Sequence, residues 1–147
     1  MSEHDDILIS LKPKYAIEVF NGTKTVELRK RKPNVASGTR VWIYATAPTA
    51  AICGYAYLTQ IKSGAPSTIW RLLGEKTAVS KKEFDAYFFG CDLAHALVLA
   101  NVMRMEEQLP LWRIREMVSE FHPPQFFCRL NGSRAAMRLN SRKYLSV

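Results

Sequence analysis

Cysteine and histidine are scarce, and their scarcity removes whole classes of chemistry. The three cysteines, Cys53, Cys91 and Cys128, are scattered, form no C-x-x-C pair and sit among apolar or small neighbours. His4, His95 and His122 are not spaced to complete a zinc site with them. Buried free thiols in a reducing compartment are expected, not a disulfide framework. Long apolar runs are missing as well. No stretch approaches the ~20 residues of a membrane span, and the acidic opening MSEHDDILIS leads into an apolar run too short for a secretory signal. No membrane role is expected, and the cytoplasm is the expected location. Repeats, low-complexity segments and Gly/Ser linkers are absent, so residues 1–147 are expected to form one domain. Acid is in short supply: 13 Asp+Glu face 21 Lys+Arg, a net charge of +8. An excess of that size favours a polyanionic partner, usually nucleic acid.

What the chain does contain is 48% hydrophobic and 11% aromatic residues, enough to bury a real core. Residues Ile7 to Leu11 alternate as a first strand. KPKYAIEVFNG then reads as a helix, with Pro13 suited to its first position and Gly22 to a left-handed stop. TVELR, Val41 to Thr46 and Ala51 to Ile61 read as strands, with Gly54 as a bulge or close-approach point. Ser67 to Gly74 predicts a short helix with its own cap, and SKKEFDAYFFG another, opened by a capping box of Ser80 and Glu83. His95 to Met105 is the longest strand candidate, Leu111 to Val118 a short helix, and PPQFFCRL the approach to a last strand. Five or six strands with short helices between them predict an α+β domain. Its core is expected over about 7–130, with 131–147 as a basic C-terminal extension.

The stretch NGTKTVELRKRKP sets one acid, Glu27, among Lys24, Arg29, Lys30, Arg31 and Lys32. On a strand, Glu27 and Arg29 share a face where a core strand would show apolar side chains, and Lys24 lies just upstream. Arginine holds a phosphate or carboxylate through two parallel hydrogen bonds, and a carboxylate accepts from a base amine. A lysine crowded by cations or desolvated has a lowered pKa and can serve as base or nucleophile. Charge runs are more often solvated faces, so on these residues alone a solvent-facing edge strand is the favoured reading. Ser10 and Lys12, beside the first turn of a helix, form a candidate anion site, with plain strand-end capping as the alternative. Trp42, Tyr44, Tyr55 and Tyr57 could stack on a base or fill the core; Trp42 and Tyr44 share a face and so a fate. Arg134, Arg138 and Arg142 make a basic stripe if their segment is helical, and a frayed terminus if it is not.

Taken together, ISLKPKYAIEVFNGTKTVELRKRKP, VWIYATAPTAAICGYAYL, EFDAYFFG and PPQFF resemble the ASCH domain family of the PUA-like superfamily, over roughly residues 7–130. The hallmark G-x-K-x-x-E-x-R is met by Gly22, Lys24, Glu27 and Arg29, and the opening S-x-K-P-x-Y by Ser10, Lys12, Pro13 and Tyr15. The resemblance implies a small mixed β-barrel with flanking short helices and a cleft lined by the hallmark residues, which turns Glu27 and Arg29 inward. It also implies association with RNA. Some members are metal-assisted ribonucleases, and others hydrolyse an N4-acyl group from cytidine. This chain departs from both kinds. The amidohydrolase-like members carry a nucleophilic threonine where Glu27 stands, so that mechanism lacks its hydroxyl here. The nuclease-like members carry a lysine six residues after the tyrosine matching Tyr44, and a serine after PPQ; this chain has Ala50 and Phe126.

The expected function is therefore binding of RNA or a nucleotide. Lys24, Glu27, Arg29 and Tyr44 would contact base or sugar, and Ser10, Lys12, Lys30, Arg31 and Lys32 the phosphates. A hydrolase is the alternative, with Lys24 as base or electrostatic stabiliser, Glu27 as its acid–base partner and Tyr44 as the third catalytic candidate. A divalent metal is expected only for a nuclease, leaning on Glu27 and substrate phosphates, since the sequence offers no ligand cluster. No other cofactor is expected. A third reading is a regulatory adaptor acting through the basic tail.

Overall fold

The computed structural model describes residues 6–135 and Met137. Strand β1 (Ile7–Leu11) leads into helix α1 (Pro13–Phe20). Proline fits the first helical turn because its missing N–H has no helical partner there, and Gly22, at φ +86°, turns the chain away at the other end. Strands β2 (Val26–Arg29), β3 (Arg40–Ala45) and β4 (Ala51–Gly64) follow, then α2 (Pro66–Leu73) and a 3-10 turn at Gly74–Lys76. Helix α3 (Lys81–Phe88), β5 (Ala94–Pro110), α4 (Leu111–Met117) and β6 (Cys128–Arg129) complete the order. Among the described residues, no helix is long and apolar enough to cross a membrane.

The six strands form one sheet in the order β2-β5-β4-β3-β1-β6, curled into a half-barrel. Among the described residues only β1 and β3 pair in parallel; the other neighbours are antiparallel. At 14 and 17 residues, β4 and β5 far exceed the ~5–6 typical of a strand. Their ladder slips at three places, between Ile52 and Gly54, Tyr55 and Tyr57, and Leu58 and Gln60, and such bulges bend and twist a strand pair. Gly54 is indispensable at the first of these: an added Cβ would collide with the Met103 carbonyl oxygen and the Phe20 ring.

Three apolar clusters hold the layers together. Ile7, Ile9, Val41 and Ile43 meet Ala16 and Val19 of α1 on one face of the sheet. Leu8, Trp42, Tyr44 and Ile52 meet Ile114 of α4 and Phe121 in a second cluster. The split follows strand alternation, since neighbouring side chains point to opposite faces. At the far end of the long strands, Val26, Leu28, Ala94 and Ala96 pack against Ile69 of α2 and Phe84 and Phe88 of α3.

Several expectations need correction. Helix α2 begins at Pro66 with Ala65 at the N-cap position and no side-chain cap, so Ser67 lies inside it. Strand β5 continues past Met105 to Pro110, because Leu109 and Pro110 find partners in Ile52 and Ala51. The aromatic group on β3 and β4 takes the commoner of its two readings and is core: Trp42, Tyr44 and Tyr55 are buried in the second cluster, and the Tyr57 ring packs on it. Of the basic stripe, Arg134 sits in a 3-10 turn, while Arg138 and Arg142 lie outside the described residues.

Candidate functional site

Strand β2 is an edge strand, yet all four of its residues are buried. Its odd-numbered positions, Glu27 and Arg29, are each 8% exposed, so the solvent-facing reading of the pair is wrong. The even positions, Val26 and Leu28, pack on Phe84 and Phe88 of α3, while Arg29 reaches the Phe126 carbonyl of the loop before β6. Just upstream, the Lys24 backbone N–H donates to the Glu18 carbonyl at 2.9 Å, and this aims the side chain beneath the sheet edge. There Lys24 is 2% exposed. Its ammonium donates to the Thr77 carbonyl at 2.7 Å, lies 3.5 Å from Glu27 Oε1 and stands 5.1 Å from the centre of the Tyr15 ring. Burial pushes the Lys24 pKa below its ordinary value, against the opposing pull of Glu27 and Glu18.

Arg29 is fully engaged in a different way. Its Nε and Nη2 approach Glu27 Oε2 at 2.9 and 2.8 Å, Nη1 donates to the Phe126 carbonyl at 3.1 Å, and Nη2 donates to the Ser10 carbonyl at 3.2 Å. One guanidinium thereby joins three segments: β2 at one edge of the sheet, β1 near the other, and the loop before β6. It crosses the open side of the half-barrel as a clasp. The fork geometry of arginine makes this feasible where a lysine point charge could not. Its donors are therefore largely spent within the protein.

Between the clasp and α3 lies a cleft of about 400 Å³. Ser10, Lys12 and Tyr15 line one side, with Lys24, Glu27 and Arg29 at its base; Val79, Glu83, Phe84, Tyr87 and Gln125 are among the others. Glu83 is shared between two jobs. Its Oε1 accepts from the Ser80 N–H at 3.0 Å in the capping box of α3, while Oε2 accepts from the Tyr15 hydroxyl at 3.3 Å. Capping by Ser80 holds Glu83 below the usual carboxylate range, so the cleft mouth keeps a negative charge at neutral pH. Burial and Glu83 raise the Tyr15 pKa, so that phenol stays a donor. Ser10 Oγ is buried and has no hydrogen-bond partner among the described residues.

The sequence candidates divide into three groups. Ser10, Lys12, Lys24, Glu27 and Arg29 converge on the cleft. Lys30, Arg31 and Lys32 are exposed and follow Arg29 out of the cleft, with the Lys30 ammonium 4.8 Å from the ring of Tyr87, which lines it, and the Arg31 guanidinium 4.6 Å from the Phe126 ring. Tyr44 does not line the cleft. It is the register partner of Ser10, but its ring is 3% exposed within the second core cluster, and burial raises its pKa. Glu83, Tyr87 and Gln125 are lining residues that the sequence did not flag. Glu83 carried only a capping signal, which accounts for one of its oxygens and hides the other.

The sequence model of the ASCH domain family matches residues 9–109. An ASCH domain-containing ribonuclease of Zymomonas mobilis is 35% identical over 123 residues, 84% of this chain and 82% of that one. The crystal structure of ASCH from Zymomonas mobilis superimposes with a TM-score of 0.88 at 32% identity, covering 97% of this chain and 96% of the other. Human THYN1, in complex with DNA containing 5-methylcytosine, has a similar fold, with a TM-score of 0.58 at 13% identity over 92% of this chain and 96% of its own. The hallmark residues gathered under a PUA-like curled sheet, and the matches along most of the chain, make it a member of the ASCH domain family.

Proposed function

We propose that the protein binds RNA, taking a base or nucleotide into the cleft while the rim cations meet the phosphates. One observation carries this reading: the lysine–glutamate–arginine group at the cleft base is satisfied internally, whereas Ser10 Oγ beside it is buried without a partner among the described residues. A neutral, hydrogen-bonding ligand edge fits such a wall, and the negative charge of Glu83 at the mouth disfavours a phosphate inside it. Lys30, Arg31 and Lys32 stand outside, where phosphates are easily reached. The similar fold of human THYN1, seen with methylcytosine DNA, keeps DNA as the competing polymer.

A ribonuclease is the second reading, and the relative that bears that name favours it. Lys24, with its depressed pKa, is the candidate base and Glu27 its partner. Tyr44 would need to act from the core. A divalent ion would rest mainly on substrate phosphates, because Glu27 is held by Lys24 and Arg29, and Glu83 by Ser80 and Tyr15.

The test follows an end-labelled single-stranded RNA on native and denaturing gels, with Mg²⁺ or Mn²⁺ present, across a salt series. Intact RNA that shifts, with a log–log salt slope of about −0.7 per phosphate contact, supports binding. Replacing Lys30, Arg31 and Lys32 by serine should flatten that slope by about 2, at the same ~0.7 per contact. Cleavage by the parent and its loss by about 10²-fold in Lys24→Met would install the nuclease reading instead. RNA that neither shifts nor breaks defeats both.

A further inference from the structure

Phe89 is 88% exposed, the most exposed of the large apolar side chains among the described residues, and it does not line the cleft. It stands on a fixed turn. Helix α3 ends there with Phe89 at the C-cap position, its N–H on the Ala86 carbonyl, and Gly90 at φ +79° reverses the chain. The Cys91 N–H returns to the Phe88 carbonyl at 2.8 Å. On either side of it in sequence, Phe88 is buried in the third apolar cluster and Cys91 packs against that cluster. The turn is thus anchored at both sides while the ring it carries points to water. Leu93, 53% exposed, follows four residues on.

Cations bracket this segment. Lys30 stands over the ring of Tyr87, two residues before Phe89, and β2 pairs Arg29, at the start of the basic run, with His95, two residues after Leu93. The loop that carries the basic run therefore travels alongside residues 87–95, and Asp92 is the acid between Phe89 and His95. An exposed aromatic ring on a turn that runs beside a basic loop is an arrangement that holds single strands: the ring takes a base face and the cations take phosphates nearby. A protein partner fits less well. A stable interface covers about 800 Å² on each side, far beyond what Phe89 and Leu93 offer, whereas one base needs one ring.

We infer that Phe89 is a stacking site for the base next to the one in the cleft, so that the protein grips a single strand across the 87–95 turn. This rests on the nucleic-acid reading of the cleft. The experiment compares the parent with Phe89→Ala, Phe89→Leu and Phe89→Trp, using fluorescence anisotropy with a labelled RNA octamer and competition by a mononucleotide. The ring is exposed, so each variant should fold as the parent does. Phe89→Ala and Phe89→Leu should weaken octamer binding by about 5- to 150-fold, while Phe89→Trp keeps it. The mononucleotide's own inhibition constant, corrected for the weaker octamer, and the salt slope should not change. A parent that binds the octamer and a Phe89→Ala variant that binds it equally well would overturn the inference and leave the cleft reading standing. A parent that binds neither probe would remove both. If sedimentation shows a parent dimer that Phe89→Ala dissolves, the ring covers a second copy of the chain and the inference is wrong.

Discussion

Ser10 Oγ is one of two buried side-chain oxygens or nitrogens without a hydrogen-bond partner among the described residues; the other is Glu18 Oε2. A buried hydroxyl left without a partner gains the fold nothing, since it lost its water and found no substitute. Ser10→Ala should therefore cost no stability and should raise it, by up to the ~1–3 kcal/mol that an unsatisfied buried group costs. Ligand affinity should respond instead, falling about 2- to 12-fold if the hydroxyl makes one ordinary hydrogen bond in the complex. Urea unfolding and RNA titration of the same sample separate the two effects. A loss of stability without loss of binding would make Ser10 a structural residue. Lys24 and Glu27 offer no such clean separation, because each carries the other's charge in a nearly closed space.

At the level of the element, the long β4–β5 pair depends on how closely two backbones approach. Gly54→Ala would drive a methyl group into the Met103 carbonyl and the Phe20 ring, so either α1 must lift or the bulge must shift. Overpacking commonly costs about 1–3 kcal/mol, and here one obstacle is backbone, so a loss of about 3 kcal/mol or more is expected in urea unfolding. A loss below about 1 kcal/mol would mean that the bulge is plastic. Gly54 was legible in the sequence as a bulge or close-approach point, because glycine inside an apolar strand has few other uses. The strands and helices were legible for similar reasons: alternation on β1 and β2, Pro13 and Gly22 at the two ends of α1, Ser80 and Glu83 at the start of α3. What stayed hidden was long-range. Arg29 bonds two backbone carbonyls, Ser10 and Phe126, which carry no side-chain signature. Tyr87 and Glu83 reach the cleft only because Phe84 and Phe88 seat α3 against β2. The burial of Tyr44 follows from which face of β3 receives α4, and alternation alone could not say.

Across the whole molecule, the sheet stops short of closing: β2 and β6 are its free edges, and the gap on the β2 side is spanned by side chains in place of a strand ladder. Arg29→Lys tests how much that span matters. The substitution keeps the charge beside Glu27 but removes the fork that reaches Ser10 and Phe126. Each of those two carbonyl hydrogen bonds is worth about 0.5–1.5 kcal/mol, or more when charge-assisted, so the expected cost is about 2–4 kcal/mol in urea unfolding. Amide exchange should quicken first in β2 and in the loop before β6. Uniform exchange with unchanged stability would mean that apolar packing by α3 closes the barrel unaided.

The other free edge has a consequence of its own. Ile7 and Leu8 pair directly with Arg129 and Cys128, so the first strand of the folded unit and its last lie side by side. A unit entered and left at one point behaves as a cassette. It can be appended to another protein, or set into one of its loops, with both junctions on the same edge of the sheet.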